Sequence, residues 1–156
     1  IDADGILELP GLITMKPVGS WREDEQKFLL RWYSLDSEGW ELDKMYTFHN
    51  YLGGWYLQLD GAWASRLTVE QEHGCYSFYV WDESYQMATP LFTLYVFTSV
   101  DRDELASQNG RFPLYRSEGV AYAAQLDIAA PEYDITEKSL QDSFHLIRQD
   151  WQTGET

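Results

Sequence analysis

Large apolar side chains stand at every second position in several short stretches of this chain, and this alternation restricts its fold more than any other feature. Within residues 40–49, Trp40, Leu42, Tyr46 and Phe48 occupy even positions, and most of the odd positions are polar. Successive side chains of a β-strand point to opposite faces of its sheet. The pattern therefore predicts a strand with one apolar face, on which these four side chains point the same way.

The same reasoning applies to other stretches between Gly, Pro and acidic turn residues. We predict strands at residues 12–16, 26–33, 40–49, 55–59, 67–70, 75–81, 91–100 and 120–126. Residues 26–33 and 40–49 are predicted to form one hairpin, and His73-Gly74 to turn a second one between 67–70 and 75–81. Residues 91–100 are apolar almost throughout, which is typical of a central strand covered on both faces.

Helix signals are concentrated in the last third of the chain. Asp101 and the Asn109-Gly110 pair are typical start and stop signals for a short helix over 101–108. Asp134 and Glu137 have capping-box spacing, and an apolar stripe follows at helical intervals, formed by Leu140, Phe144, Ile147 and Trp151. The sequence therefore predicts an α+β fold, an antiparallel sheet of about six to eight strands packed against a C-terminal amphipathic helix. We expect a single domain over 1–156, with an irregular arm at 1–11 and a polar tail at 152–156.

The chain is strongly acidic, with 26 Asp and Glu against 11 Lys and Arg and a formal net charge of −15. This charge repels phosphate backbones, so nucleic acid is excluded as an expected partner. No apolar run reaches the roughly 18 residues of a membrane span, so no membrane insertion is expected within the chain. The start at Ile1 suggests a processed segment, and we expect an extracellular or cell-surface location, with membrane anchoring through a removed N-terminal segment as one form of it.

Several short motifs stand in a recurring order. Residues 55–63 read WYLQLDGAW and are followed by LTVE at 67–70, SFY at 77–79, PLFTL at 90–94 and SFHLI at 143–147. In this order the chain resembles an uncharacterised secreted or lipoprotein domain of Gram-positive gut bacteria. The resemblance covers roughly two-thirds of the chain and implies a secreted or surface-anchored protein, without catalytic residues to transfer.

The order of elements is also similar to that of the P-subunit family of the photosystem oxygen-evolving complex, which implies an antiparallel sheet flanked by helices. The chain departs from the Gram-positive domain at Asp60, where its relatives tend to have Pro, and by its aromatic N-terminal third.

Catalytic and metal motifs were sought among the titratable residues. His73 and Cys75 are two residues apart in a predicted hairpin and could form a nucleophile pair, but a lone cysteine in an aromatic strand is more often a small buried hydrophobe. His49, His73 and His145 lack the close spacing of zinc ligands. Residues 2–5 resemble the start of a calcium loop but lack its closing Glu. We therefore predict no catalytic residue, no metal and no cofactor.

Tryptophan is the remaining source of candidate site residues. The chain has 7 Trp, and rings at strand ends or in loops can stack on a ligand or a partner. Trp63, in the loop after residues 55–59, and Trp21, beside an acidic turn, are the predicted ligand-binding residues. The predicted function is a non-catalytic surface module that binds an unknown protein or surface ligand. Two alternatives stay open: a hydrolase with a carboxylate or Cys75/His73 site, and a sensor or regulatory ectodomain of a larger membrane-anchored protein.

Overall fold

The computed structural model describes residues 6–16, 27–59 and 62–147. Within these ranges the chain forms ten β-strands, two short α-helices and two 3₁₀ helices. The strands are β1 (Leu9–Thr14), β2 (Phe28–Leu35), β3 (Glu41–Asn50), β4 (Trp55–Leu59), β5 (Leu67–Glu72), β6 (Cys75–Asp82), β7 (Met87–Phe97), β8 (Phe112–Ser117), β9 (Val120–Leu126) and β10 (Phe144–Leu146). The α-helices are α1 (Arg102–Leu105) and α2 (Glu137–Ser143), and the 3₁₀ helices are Ala62–Arg66 and Ala130–Tyr133.

The strands form two antiparallel sheets of five strands each. The first sheet has the order β1-β2-β3-β4-β10, and the second has the order β5-β6-β7-β9-β8. Neighbours in the chain pair as hairpins through most of both sheets, and β10 returns from the end of the described chain to pair with β4. The long strand β7 occupies the centre of the second sheet, so residues 91–97 form a central strand as predicted, whereas residues 98–100 lie beyond its end.

The inner faces of the two sheets share one aromatic core. Phe48 of the first sheet meets Phe78 of the second edge-on, with ring centroids 5.3 Å apart, and Trp55 meets Tyr76 at 5.1 Å. Trp55 and Leu57 of β4 and Phe78 of β6 are fully buried, and in these two strands buried and partly exposed positions alternate, as period-two patterning requires. Large flat rings fill a two-sheet core efficiently because each buries a large apolar area.

The predicted α+β class is wrong, because the described chain is mainly β and no long helix covers a sheet. The predicted C-terminal helix is reduced to α2, seven residues long. Thr136 caps it, with a capping box to Ser139 that replaces the predicted Asp134–Glu137 pair. At Phe144 the backbone turns extended and continues as β10. The second sheet occupies the place that the helix was predicted to fill.

A β-bulge interrupts the alternation predicted for residues 40–49. The pairing of β2 with β3 passes from Trp32↔Met45 to Tyr33↔Asp43, so one residue of β3 has no partner. An extra residue reverses the alternation beyond it. Tyr46 and Phe48 therefore face the core as predicted, whereas Leu42 faces outward and Trp40, just before the strand, is 70% exposed.

Candidate functional site

A groove crosses the outer face of the first sheet. Its volume is about 780 Å³, within the range of small-molecule pockets. Every strand of the sheet contributes to it, and Tyr115 of β8 in the second sheet also lines it. The lining residues are Pro10, Leu30, Trp32, His49, Tyr51, Tyr56, Tyr115, Phe144, His145, Leu146 and Ile147. We call this the outer groove.

Four rings stack side by side in the outer groove, and we call them the ring stack. They follow the order Tyr51, His49, Tyr56, His145, with successive centroid distances of 5.4, 4.9 and 5.1 Å. Antiparallel pairing sets this order, because His49 lies opposite Tyr56 and Tyr56 lies opposite His145. Side chains directly opposite on one sheet face are close enough for ring contact. The sheet register therefore holds the stack in place.

Trp32 and Thr47 form a side-chain hydrogen bond beside the ring stack. The Trp32 Nε1 atom donates a hydrogen bond of 2.8 Å to Thr47 Oγ1, and Thr47 is fully buried. A smaller cavity of about 370 Å³ adjoins the groove and shares Leu30, His49 and Tyr51 with it. Several side chains that line one or both cavities are exposed: Leu12, Phe28, Tyr51 and Leu52. The outer face therefore carries a continuous aromatic and aliphatic surface.

The two cavities contain no carboxylate among the residues that the structure describes. This is notable in a chain in which 26 of 156 residues are acidic. Within the described part of the chain, Lys27 of the smaller cavity is the one Lys or Arg that lines either cavity. The described lining of the outer groove therefore has no carboxylate, Lys or Arg, although the protein is strongly acidic.

The imidazoles of the ring stack have unused hydrogen-bonding atoms. His49 Nδ1 and His145 Nε2 are buried without a partner among the described residues. Burial lowers the pKa of His49 below its ordinary value, because the charged imidazolium loses solvation there. A neutral imidazole has one donor and one acceptor nitrogen. Because Nδ1 is buried, the neutral imidazole of His49 can offer the groove one polar atom, Nε2.

The predicted ligand residues lie away from this groove or outside the described chain. Trp63 is half-buried in the first 3₁₀ helix and meets Tyr133 edge-on, with centroids 6.2 Å apart. Its ring also packs against the core. Trp21 lies outside the described residues, so its role stays a prediction.

His73 and Cys75 lie on either side of Gly74, where β5 turns into β6. His73 is exposed in the β5–β6 turn with φ of 44°, and Cys75 is half-buried at the start of β6. Burial, and then the negative charge of Glu72, raise the pKa of the Cys75 thiol. A raised pKa reduces the thiolate that a nucleophile needs.

Two carboxylates approach the Tyr79 hydroxyl of β6. That hydroxyl donates to Glu70 Oε2 at 3.4 Å. Burial, first, and the charges of Glu70 and Asp127 raise the pKa of Tyr79. Burial also raises the pKa of Asp127. Neither carboxylate lines the outer groove or the smaller cavity.

Metal sites and membrane spans were sought within the described ranges. No group of three or more His, Cys, Asp or Glu residues there could hold a metal ion. The calcium-like residues 2–5 lie outside those ranges. None of the described helices has the length and apolar character needed to cross a bilayer.

Fold and site define a two-sheet antiparallel β domain with an aromatic groove on one outer face. Compared with known proteins, the chain matches no family model, no curated protein and no solved structure. The resemblance to the Gram-positive secreted domain therefore stays a prediction that depends on the motifs in residues 55–147.

Sequence reasoning missed the ring stack, although one signal for it was present. In residues 55–59, alternation buries Trp55 and Leu57 and turns Tyr56 outward, so Tyr56 was identifiable as a surface ring. The positions of His145 and Tyr51 were not identifiable, because they depend on β10 and on the turn after β3. The spacing of the histidines in the sequence bears on metal binding and does not indicate that two of them join an aromatic surface.

Proposed function

We propose that this chain is a non-catalytic extracellular or cell-surface module that binds its ligand in the outer groove. The observation that carries the proposal is a concave aromatic surface across all five strands of the first sheet, with no carboxylate among the described residues that line it. Concave sites of this volume that combine aromatic side chains with a few polar groups are typical of ligand binding. The location is supported by the motifs that resemble a secreted or lipoprotein domain.

The architecture supports binding rather than chemistry. Most groove residues lie on paired strands, which hold side chains more rigidly than loops do, whereas Tyr51 lies in the turn after β3. The groove contains two imidazoles, and the described residues that line it include no carboxylate or thiol to act with them. General acid–base or nucleophilic catalysis requires a second group within hydrogen-bond reach. The ring stack provides contact area and hydrogen-bonding edges instead.

A comparison of two exposed tyrosines tests the proposal. Tyr51 and Tyr85 are 72% and 76% exposed, and both lie in turns. Tyr51 lines the groove and Tyr85 does not. An array of neutral glycans, anionic glycans and unstructured peptides is probed with the labelled wild-type chain and with the Tyr51→Ala and Tyr85→Ala variants.

We expect at least one probe to bind the wild type and Tyr85→Ala equally, and Tyr51→Ala about tenfold more weakly, because one ring contact is lost. Circular dichroism of all three proteins checks that they are folded. If every binding probe treats the two variants alike, the outer groove is not the ligand surface.

A further inference from the structure

We infer that the ligand of the outer groove is a neutral oligosaccharide chain lying across the strands of the first sheet. The inference rests on the proposed function and specifies its ligand class. Four features of the groove carry it: its charge, its hydrogen-bonding atoms, its rings and its length.

Charge excludes ionic ligands. An anionic chain meets the field of a protein with net charge −15, and none of the described residues that line the outer groove is a Lys or Arg that could compensate. A cationic chain finds no carboxylate among the same described residues. Ionic ligands need complementary charge at the contact surface. The groove therefore selects an uncharged ligand.

Hydrogen-bonding atoms exclude a purely apolar ligand. The hydroxyls of Tyr51 and Tyr56 bond to no described residue and are not buried. The second ring nitrogens of His49 and His145 are likewise unpartnered and reach solvent. A lipid that covered these atoms would remove their water and return no hydrogen bond. The ligand must supply polar groups along its length.

The kind of polar group favours hydroxyls. A phenol donates and accepts, whereas the one accessible nitrogen of each imidazole either donates or accepts, according to the tautomer. A sugar hydroxyl can do both, so it can satisfy these atoms in either case. A peptide has separate donors and acceptors at fixed spacing. The rings of the stack and of Trp32 add apolar surface against which the C–H faces of sugar rings can pack. Sheet faces also bind oligosaccharides in the OB-fold.

The length of the groove fits a chain rather than a monosaccharide. The lining runs from Pro10 on β1 to His145 on β10, which spans four inter-strand spacings. At 4.7–4.9 Å each, this is about 19 Å. The lining side chains recur from one strand to the next, as sugar units recur along an oligosaccharide.

Calorimetric titration tests the inference with defined probes: cellohexaose, mannohexaose and chitohexaose as neutral chains, hexagalacturonate as an anionic one, and an uncharged peptide of Ser and Tyr. We expect at least one neutral hexasaccharide to bind the wild type and Tyr85→Ala alike. Tyr51→Ala should bind it about tenfold more weakly, with Tyr51→Phe between them because it keeps the ring and loses the hydroxyl. Affinity should change less than about twofold between low and high salt, since no ion pair forms.

The outcomes separate the ligand class from the proposed function. Groove-dependent binding of the peptide or of hexagalacturonate alone overturns the oligosaccharide inference and leaves the binding function standing. Self-association of the chain that Tyr51→Ala abolishes, without glycan binding, overturns it too, because the groove then serves a second copy. Binding that Tyr51→Ala and Tyr85→Ala reduce equally overturns both proposals.

Discussion

At the scale of single residues, His49 links the binding surface to the stability of the fold. Its imidazole stacks between Tyr51 and Tyr56, and burial lowers its pKa below the ordinary value of 6.5. Below about pH 6.5 the unfolded chain therefore takes up a proton at this position before the folded chain does. Stability that depends on neutral His49 is fully present above this pH and is lost as the pH falls toward the lowered pKa.

We predict that His49→Phe removes part of the stability loss between about pH 7 and pH 5.5, because Phe keeps a stacking ring and has no proton to bind. Urea unfolding of wild type and variant at both pH values measures this difference. His73→Asn is the matched control, since His73 is exposed and Asn tolerates its positive φ. Asp127, whose raised pKa acts in the opposite direction, is present in all three proteins and cancels in the comparison. Parallel pH dependence in wild type and His49→Phe would contradict the prediction.

Individual strands were largely predictable from alternation, whereas their partners were not. Residues 55–59 and 120–126 form β4 and β9 with the predicted bounds, because each has a clear local pattern between turn signals. The first strand begins at Leu9, earlier than predicted. Strand β8 was missed because Pro113 and Arg116 weaken its pattern, which an edge strand tolerates.

The C-terminal element shows how tertiary pairing overrides a helical pattern. Leu140 and Phe144 are four residues apart and both buried, as a helix stripe requires, but only Leu140 is buried from a helix. Phe144 is buried from β10, which pairs with the open edge of β4. Unpaired strand edges leave backbone groups without hydrogen bonds. The chain from Phe144 onward therefore pairs with β4 and does not continue α2. Local spacing cannot reveal this competition.

We predict that Phe144→Ala lowers the free energy of unfolding by about 3–5 kcal/mol, the usual cost of emptying a buried Phe site. Its ring contacts Tyr122 of the second sheet at 4.9 Å and Trp55 of the first at 5.8 Å, so it connects the two sheets. Denaturant unfolding followed by fluorescence measures the loss. Phe28→Ala is the control, because Phe28 is 41% exposed and should cost less than about 1.5 kcal/mol. Equal losses in the two variants would place Phe144 outside the shared core.

At the scale of the whole molecule, the uneven distribution of charge predicts that salt changes the stability of the fold but not its affinity for a neutral glycan. The carboxylates of the described residues lie outside the outer groove, and the excess of acidic over basic residues gives the chain its net charge of −15. Like charges spread over a compact surface repel one another and destabilise the folded state relative to the expanded chain. Salt shortens the range of this repulsion to about 8 Å at physiological ionic strength. The sequence predicted this charge, but only the folded sheet shows that it avoids the groove.

We therefore predict that sodium chloride raises the melting temperature by about 2–4 °C between low and physiological ionic strength. A triple variant with Glu118→Gln, Glu132→Gln and Asp142→Asn, all at exposed positions, should melt higher at low salt and respond less to added salt, because fewer charges remain to be screened. Calorimetry on both proteins at several salt concentrations provides the measurement. Neutral glycan affinity should stay constant over the same range, because the groove contributes no charge to the contact. A melting temperature that does not change with salt would show that repulsion among the carboxylates does not limit the stability of this fold. A glycan affinity that changes with salt would place charged groups at the ligand.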